Sequence, residues 1–226
     1  MRLLELYTTV QGEGPNVGKR TTFVRFAGCN FRCPGWPCDT PYSIEPSIWR
    51  KEMETIEAHA LVYRVKELDP THVCITGGEP LIQPKDELEV LFKELRNEGY
   101  TIDIFTNGSR SFDILVPFRV GLSIIMDWKL TGSGEGKSSL ETRTDNLAHL
   151  GYKDALKFVV KDHDDLDEMR DMVLGLKYPP YRIYVSPAWG LMQPADIVSY
   201  IEKYNLPVYL NLQVHKYIWD PMARRI

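Results

Sequence analysis

The sequence has no apolar run of about 18 residues, the least a helix needs to cross a bilayer. Its opening, MRLLELYTTVQGEG, has neither the long apolar stretch nor the small-residue cleavage site of a secretory signal. A soluble, cytoplasmic protein is expected. Positive charge is not in surplus: 27 lysines and arginines face 31 aspartates and glutamates, so no excess of cations is at hand to neutralise a nucleic-acid backbone, and direct DNA or RNA binding is not expected. Arg224 and Arg225 are too few to form a basic tail and read as solvated charges. Fixed-period repeats, low-complexity runs and Gly/Pro-rich linkers are also missing. The 226 residues, 43% of them hydrophobic, therefore suit one domain over 1–226 with a single core. Cysteine is scarce, four in all, yet three fall within ten positions, a clustering that in a cytosolic chain favours metal ligation over disulfides.

Short β-rich runs alternate with segments of helical period, the pattern of parallel strands joined by helical crossovers. The class is α/β. Strands are expected at 3–9, 21–27, 72–76, 101–105, 121–127, 154–160, 181–185 and 207–212, most of them continuous apolar runs such as VGLSIIM that suit strands covered on both faces. A helix near 47–68 carries Leu61, Val65 and Leu68 on one face, and one near 86–98 carries Leu88, Leu91, Phe92 and Leu95. Two more, near 164–175 and 195–204, carry Leu166, Met169 and Val173, then Ile197, Tyr200, Ile201 and Tyr204. Periodicity does not choose between a barrel and an open doubly wound sheet. Either places its chemistry at the carboxyl ends of the strands.

After the strand TTFVRFAG comes CNFRCPGWPCDT, in which Cys29, Cys33 and Cys38 are separated by three and then four residues. Thiolate is the soft ligand of zinc and of iron-sulfur clusters, and Pro34, Gly35 and Pro37 keep the stretch out of helix and strand. Three thiolates would leave one iron of a 4Fe-4S cluster open to a chelating small molecule, whereas a fourth cysteine would close the site. The alternatives are structural zinc with His59 or His72 as fourth ligand, although neither has a paired ligand at short spacing, and more broadly a non-catalytic zinc- or Fe-S-binding module that recognises a partner. Cys74, inside HVCIT, reads as a small buried hydrophobe.

Cysteines so placed, an aromatic residue shortly before the last one, and GGEP after the next strand resemble the radical S-adenosylmethionine (SAM) superfamily. Its usual motif has two residues between the second and third cysteines where PGWP supplies four. More narrowly, QGEG at 11–14, CDT, TGGEP, TNG and LQVHK are similar to the 7-carboxy-7-deazaguanine synthase family. The resemblance implies a modified, incomplete (β/α) barrel and a carbon-nitrogen lyase that contracts 6-carboxy-5,6,7,8-tetrahydropterin to 7-carboxy-7-deazaguanine with loss of ammonia, in 7-deazapurine (queuosine-type) biosynthesis. It further implies a 4Fe-4S cluster, SAM, magnesium, a flavodoxin-like electron donor and a homodimer. A radical SAM activase acting on a protein partner is the nearest alternative, against which QGEG argues.

By that resemblance Asp39, Gly77, Gly78, Glu79, Asn107, Asp127, Lys129, Ser186 and Gln213 are candidates for the SAM site. Glu79 would accept from the methionine ammonium, with Gly77 and Gly78 allowing close backbone approach, unless GGEP is an ordinary turn. Asn107 in TNG has a turn as its alternative. Asp127 and Lys129 stand where the family has Ser-Pro-Lys, and the carboxylate is suited to ribose hydroxyls. Thr9, Gln11, Glu13, Arg25, Thr76 and His215 are candidates for the pterin, with catalytic roles assigned to Arg25 and Glu13. Arg25 would take a substrate carboxylate or, alternatively, pair with Glu13. Thr40 matches a magnesium position in the family, against a capping role before Pro41. His215 is otherwise a hydrogen-bonded structural residue. The tail IWDPMARRI stands where the family's terminal carboxylate reaches substrate.

Overall fold

The computed structural model describes residues 1–36, 38–177 and 179–225. Pro37 and the terminal carboxylate, both invoked above, lie outside the described residues. The chain opens with an antiparallel hairpin, β1 (Arg2–Val10) and β2 (Arg20–Phe26). Two short helices, α1 (Pro41–Ile44) and α2 (Pro46–Glu52), lead to β3 (Glu54–Thr55), which pairs antiparallel with the start of β1. Beyond the hairpin every pairing is parallel: β4 (His72–Gly77), β5 (Thr101–Thr106), β6 (Leu122–Trp128), β7 (Ala155–Val160), β8 (Arg182–Pro187) and β9 (Tyr209–Leu210) follow β2 in sequence order. Crossovers are made by α3 (Ala58–Lys66), α4 (Lys85–Asn97), α5 (Leu140–Leu147), α6 (His163–Gly175) and α7 (Pro194–Tyr204), and α8 (His215–Ile218) follows β9. A run of 3-10 turns, Phe112–Phe118, joins β5 to β6. The nine-stranded sheet has two separate edges, so the expected incomplete barrel is what forms.

Strand alternation sorts the side chains. Val24, Phe26, Val73, Ile75, Ile102, Ile104, Leu156, Phe158 and Val160 are fully buried in the core beneath the helices. Their neighbours Arg25, Cys74, Thr76, Phe105, Lys157 and Val159 face the hollow of the sheet. Strands expected to be apolar on both faces therefore carry charge on the inner one. The helical stripes bury as periodicity predicts at Leu61 and Val65, Leu88 to Leu95, Leu166 to Val173, and Ile197 with Tyr200. Leu68 lies beyond α3 and is half-buried, Ile201 is half-buried, and Tyr204 is exposed.

Two expected elements differ. The helix read over 47–68 is broken into α2 and α3, because Met53 turns to extended backbone and β3 pairs Glu54 and Thr55 with Leu3 and Arg2. The N–H of Ile56 then donates to the Met1 carbonyl at 2.9 Å. Tertiary pairing overrides a sequence with no strong stop signal. The strand read over 207–212 keeps only two residues: Pro207 has no N–H to give to a ladder, and past Leu210 the pairing ends with Asn211, which gives its backbone N–H to the Val185 carbonyl at 2.8 Å and its side-chain amide to Ser186 Oγ at 2.8 Å.

Phe92 of α4 is fully buried, with its ring 5.7 Å from that of Phe118. Phe92→Ala should destabilise the fold by roughly 3–5 kcal/mol, read as a fall in the urea midpoint at unchanged slope.

Candidate active site

A cavity of about 380 Å³ lies in the hollow of the sheet, within the range of small-molecule sites. Cys29, Cys33 and Cys38 line one wall, on the loop that leaves β2. Cys33 is held in the left-handed region, φ 46°, a conformation that costs free energy and persists only when surroundings impose it. They do so here: Glu135 accepts from the Arg32 N–H at 2.7 Å and the Cys33 N–H at 3.4 Å, and the Gly35 N–H donates to the Ser133 carbonyl at 3.0 Å. Arg143, fully buried, braces the loop behind by donating to the Lys129 carbonyl at 2.9 Å. Burial pushes the Cys29 and Cys33 thiols up to about 11, against the pull of the Lys129 ammonium, so a metal binding there must displace protons.

The strand ends form the next wall. Gly77 and Gly78 line it, but the space their missing Cβ atoms would fill is occupied by backbone: an added Cβ would stand 2.1 Å from the Phe26 carbonyl oxygen and 2.2 Å from that of Gly28. The glycines are needed to pack β4 against the cysteine loop. Glu79 does not line the cavity. It is fully buried and accepts from the N–H groups of Leu81 at 2.9 Å and Asn107 at 2.7 Å and from the Thr106 hydroxyl at 2.8 Å. Burial raises its pKa against these three donors. Asn107 makes the turn expected of it, its Oδ1 accepting from the Ser109 N–H at 2.9 Å, and its Nδ2 reaches the Cys29 sulfur at 3.8 Å. Lys129 donates to Asp127 Oδ2 at 2.8 Å, and Asp127 Oδ1 is buried without a partner among the described residues.

Thr9, Gln11, Glu13, Arg25, Thr76 and Cys74 form the floor. Cys74 is buried as expected, and it also borders the cavity. Arg25 does not pair with Glu13. Its Nε donates to Glu5 at 2.9 Å and its outer nitrogen meets the Tyr7 hydroxyl at 3.4 Å. Glu13 instead binds Lys157, Oε2 to Nζ 2.5 Å. Gln11 spends its Oε1 on the Gly12 N–H at 3.0 Å, while its Nε2 is buried without a partner among the described residues.

The remaining wall brings Asp39 and Thr40 against the late residues Gln213, His215 and Lys216. Gln213 Nε2 donates to Asp39 at 2.9 Å, and Lys216 pairs with its other oxygen. Burial would raise the Asp39 carboxyl, but Lys216 and Gln213 hold it below the ordinary range. Thr40 occupies the N-cap position of α1 yet makes no side-chain cap bond, so the capping reading fails. Its hydroxyl accepts from Ser43 at 3.1 Å and lies 3.7 Å from the Cys38 sulfur. Ser186 lies outside the cavity lining and is buried against Asn211. The terminal arginines are not simply solvated: Arg224 lies 3.8 Å over the Tyr42 ring and pairs with Glu5 at 2.8 Å and Glu52 at 2.9 Å, and Arg225 reaches Glu5 at 3.3 Å.

The zinc-module alternative finds no support in these positions. His59 is exposed on α3 beside Glu94, and His72 starts β4, at the opposite end of the sheet from the cysteines, paired with Asp103 at 3.0 Å. Among the described residues no group of three His, Cys, Asp or Glu is arranged around a single ion position. The donor set fits the expected groups better: three thiols on one wall, and beside them an unspent carboxylate oxygen and amide nitrogen for a polar ligand. Sequence reasoning missed Glu5, Tyr7, Tyr42, Glu135, Lys157 and Lys216.

Anaerobic loading with iron and sulfide should leave protein-bound acid-labile sulfide that is lost in Cys29→Ala, Cys33→Ala and Cys38→Ala and kept in Cys74→Ala. His215 packs so closely on Gly12 that a Cβ there would stand 2.0 Å from its Nδ1. Burial holds this imidazole below its ordinary value. The unfolded chain takes up that proton near pH ~6.5 and the folded chain only at lower pH. Stability should therefore fall as pH drops below that point. NMR titration should give a midpoint under the ordinary value, and His215→Gln should lack this part of the pH dependence in denaturant titrations.

Residues 23–122 match the family described as the radical SAM superfamily. Over 222 residues the chain is 38% identical to the 7-carboxy-7-deazaguanine synthase of Methanospirillum hungatei, covering 98% of this chain and 86% of that one. It is 34% identical to the enzyme of the same name from Clostridium acetobutylicum, covering 100% and 99% of the two chains. The crystal structure of QueE from Escherichia coli superposes with a TM-score of 0.70 over 93% of this chain and 92% of that one at 22% identity, a likeness of fold. With kinship running through the hairpin, the cysteine loop and the late residues of the far wall, this chain belongs to the 7-carboxy-7-deazaguanine synthase family of radical SAM enzymes.

Proposed function

We propose that this enzyme converts 6-carboxy-5,6,7,8-tetrahydropterin to 7-carboxy-7-deazaguanine with release of ammonia, acting over residues 1–226 as one radical SAM core. The observation that carries the reading is that the three cysteines and the Gln11–Glu13 floor, one set specific to the superfamily and the other to the family, line a single cavity. Cys29, Cys33 and Cys38 would hold a 4Fe-4S cluster, which together with SAM would supply the radical that starts the reaction.

The chain's own residues bind, orient and exclude water. Lys129 sets a fixed positive charge beside the cysteine wall, and the free Oδ1 of Asp127 is an acceptor for ribose hydroxyls. Asn107, Gly77, Gly78, Asp39 and Gln213 line the same cavity and are at hand for the rest of SAM. Glu79 and Ser186 act one step back, by fixing Asn107 and Asn211. Arg25 lines the cavity with its Nε engaged by Glu5 and one outer nitrogen on the Tyr7 hydroxyl, and its remaining N–H bonds are the donors for a substrate carboxylate. The unspent amide of Gln11, the Glu13 carboxylate, Thr9, Thr76 and His215 are at hand for the polar rim of the heterocycle. The Thr40 hydroxyl would be the protein's ligand to magnesium, an ion that keeps several waters and accepts few protein donors. A cavity of about 380 Å³ suits a small molecule better than the polypeptide an activase must hold. A flavodoxin-like electron donor, a homodimer and a cytoplasmic location rest on kinship. Among the described residues no helix is long and apolar enough to cross a membrane.

The test is anaerobic turnover of the loaded enzyme with reductant, SAM and the carboxytetrahydropterin, with and without magnesium, followed by mass spectrometry. 7-Carboxy-7-deazaguanine should form and should vanish in Cys33→Ala. Cleavage of SAM with the pterin left intact would remove the proposed substrate and leave the radical SAM class standing.

A further inference from the structure

Lys157 has no part in the roles assigned above. It projects from β7 into the hollow, 6% exposed, while its strand neighbours Leu156 and Phe158 face the helices. Beneath it lies a small apolar cluster of Ile125, Ala155 and Tyr184 with Phe105 packed against it. An ammonium over an apolar floor is costly to hold there unless its donors are used. Lysine has three of them, and the one hydrogen bond Lys157 makes to a side chain goes to Glu13 Oε2, at 2.5 Å, among the described residues. Lys157 lines the cavity, and two of its three N–H bonds have no acceptor among the described residues, so donors remain for whatever enters. Glu13 is likewise half-spent, since Oε1 accepts no hydrogen bond from a described residue.

Lys157 and Glu13 thus present a cation and a carboxylate side by side at one level of the floor. A heterocycle with a 2-amino-4-oxopyrimidine edge offers the complement in the same order: a carbonyl oxygen, then a ring N–H, then an amino group. The carboxylate can accept from the last two together, and the ammonium donates to the first. Substrate and product of the proposed reaction both carry this edge unchanged, so a pair that holds it need not move while the rest of the ring is rebuilt.

We propose that Lys157 is a substrate-binding residue that donates to the 4-oxo oxygen while Glu13 accepts from the adjoining N–H and amino groups. This rests on the pterin reading above. The test is equilibrium binding of two probes to the loaded enzyme without reductant: 6-carboxypterin, and its 4-thioxo analogue, which keeps the ring N–H and amino group for Glu13 but offers the ammonium a sulfur that accepts only weakly. Lys157→Met should weaken 6-carboxypterin at least about tenfold, the loss of one charge-assisted hydrogen bond, and the 4-thioxo analogue less than about threefold. Lys157→Arg, which restores a cation, should recover most of the loss, and thermal melting of both variants checks the fold. Equal weakening of both probes would mean that Lys157 acts only by holding Glu13 or the fold, and would overturn the assignment, as would unchanged binding. Wild-type turnover to 7-carboxy-7-deazaguanine with unchanged kcat/KM in Lys157→Met would sink this proposal alone. Wild-type enzyme that binds neither probe and makes no product would sink the substrate reading and this assignment together.

Discussion

An open sheet must close its hollow with something other than strands, and here the closure is a backbone contact between segments from opposite edges. β3 covers only the first residues of β1, so the rest of β1 is a free edge, as β9 is on the other side. The QGEG segment that follows β1 crosses between them. Gly12 accepts from the Val214 N–H at 2.9 Å, and the Gly14 N–H donates to Asn211 Oδ1 at 2.8 Å. His215 lies where a side chain on Gly12 would be, so the bridge requires glycine. The floor of the cavity, the position of Glu13 and the placement of Gln213, His215 and Lys216 all depend on this bridge.

The charges around the hollow are mostly paired. Four carboxylates are matched by cations, Glu5 by Arg25, Glu13 by Lys157, Asp39 by Lys216 and Asp127 by Lys129, while Glu79 is held by three neutral donors instead. Poorly hydrated charges must be paired, so these pairs are the condition for having ionised groups inside at all. They also prepare the site for ligands that present donors and acceptors together, as an amino acid or an aminopyrimidinone does. Such a ligand can share a paired group through its unspent lone pairs and N–H bonds without stranding an isolated charge.

The sequence made local patterns legible and distant partnerships invisible. Apolar runs marked the strands because burial beneath helices demands them, and motifs at strand ends located the cysteines, Asn107, Asp127, Lys129 and the QGEG floor in one place. Lys157 was hidden because it sits in the apolar run ALKFVV and meets its partner 144 residues away. Lys216 meets Asp39 across 177 residues and Arg224 meets Glu5 across 219. No periodicity registers such pairs. The arginine on β2 was rightly read as needing a carboxylate, but Glu5 supplies it because the hairpin register sets Glu5 opposite Arg25. The break between α2 and α3 was hidden for a related reason: only the β1 edge, far back in the chain, makes Glu54 and Thr55 a strand.

These separations also tie the cysteines to the end of the sheet. The loop bearing them is fastened on one side by Glu135 and Ser133, about a hundred residues on, and on the other by Gln213 and Lys216, because Asp39, which they hold, directly follows Cys38. By loop closure alone the two fastenings differ by less than about 0.6 kcal/mol, and both await the strands between them. The third sulfur therefore takes its place from residues beyond the last strand, so a change there is felt at the metal as well as at the substrate.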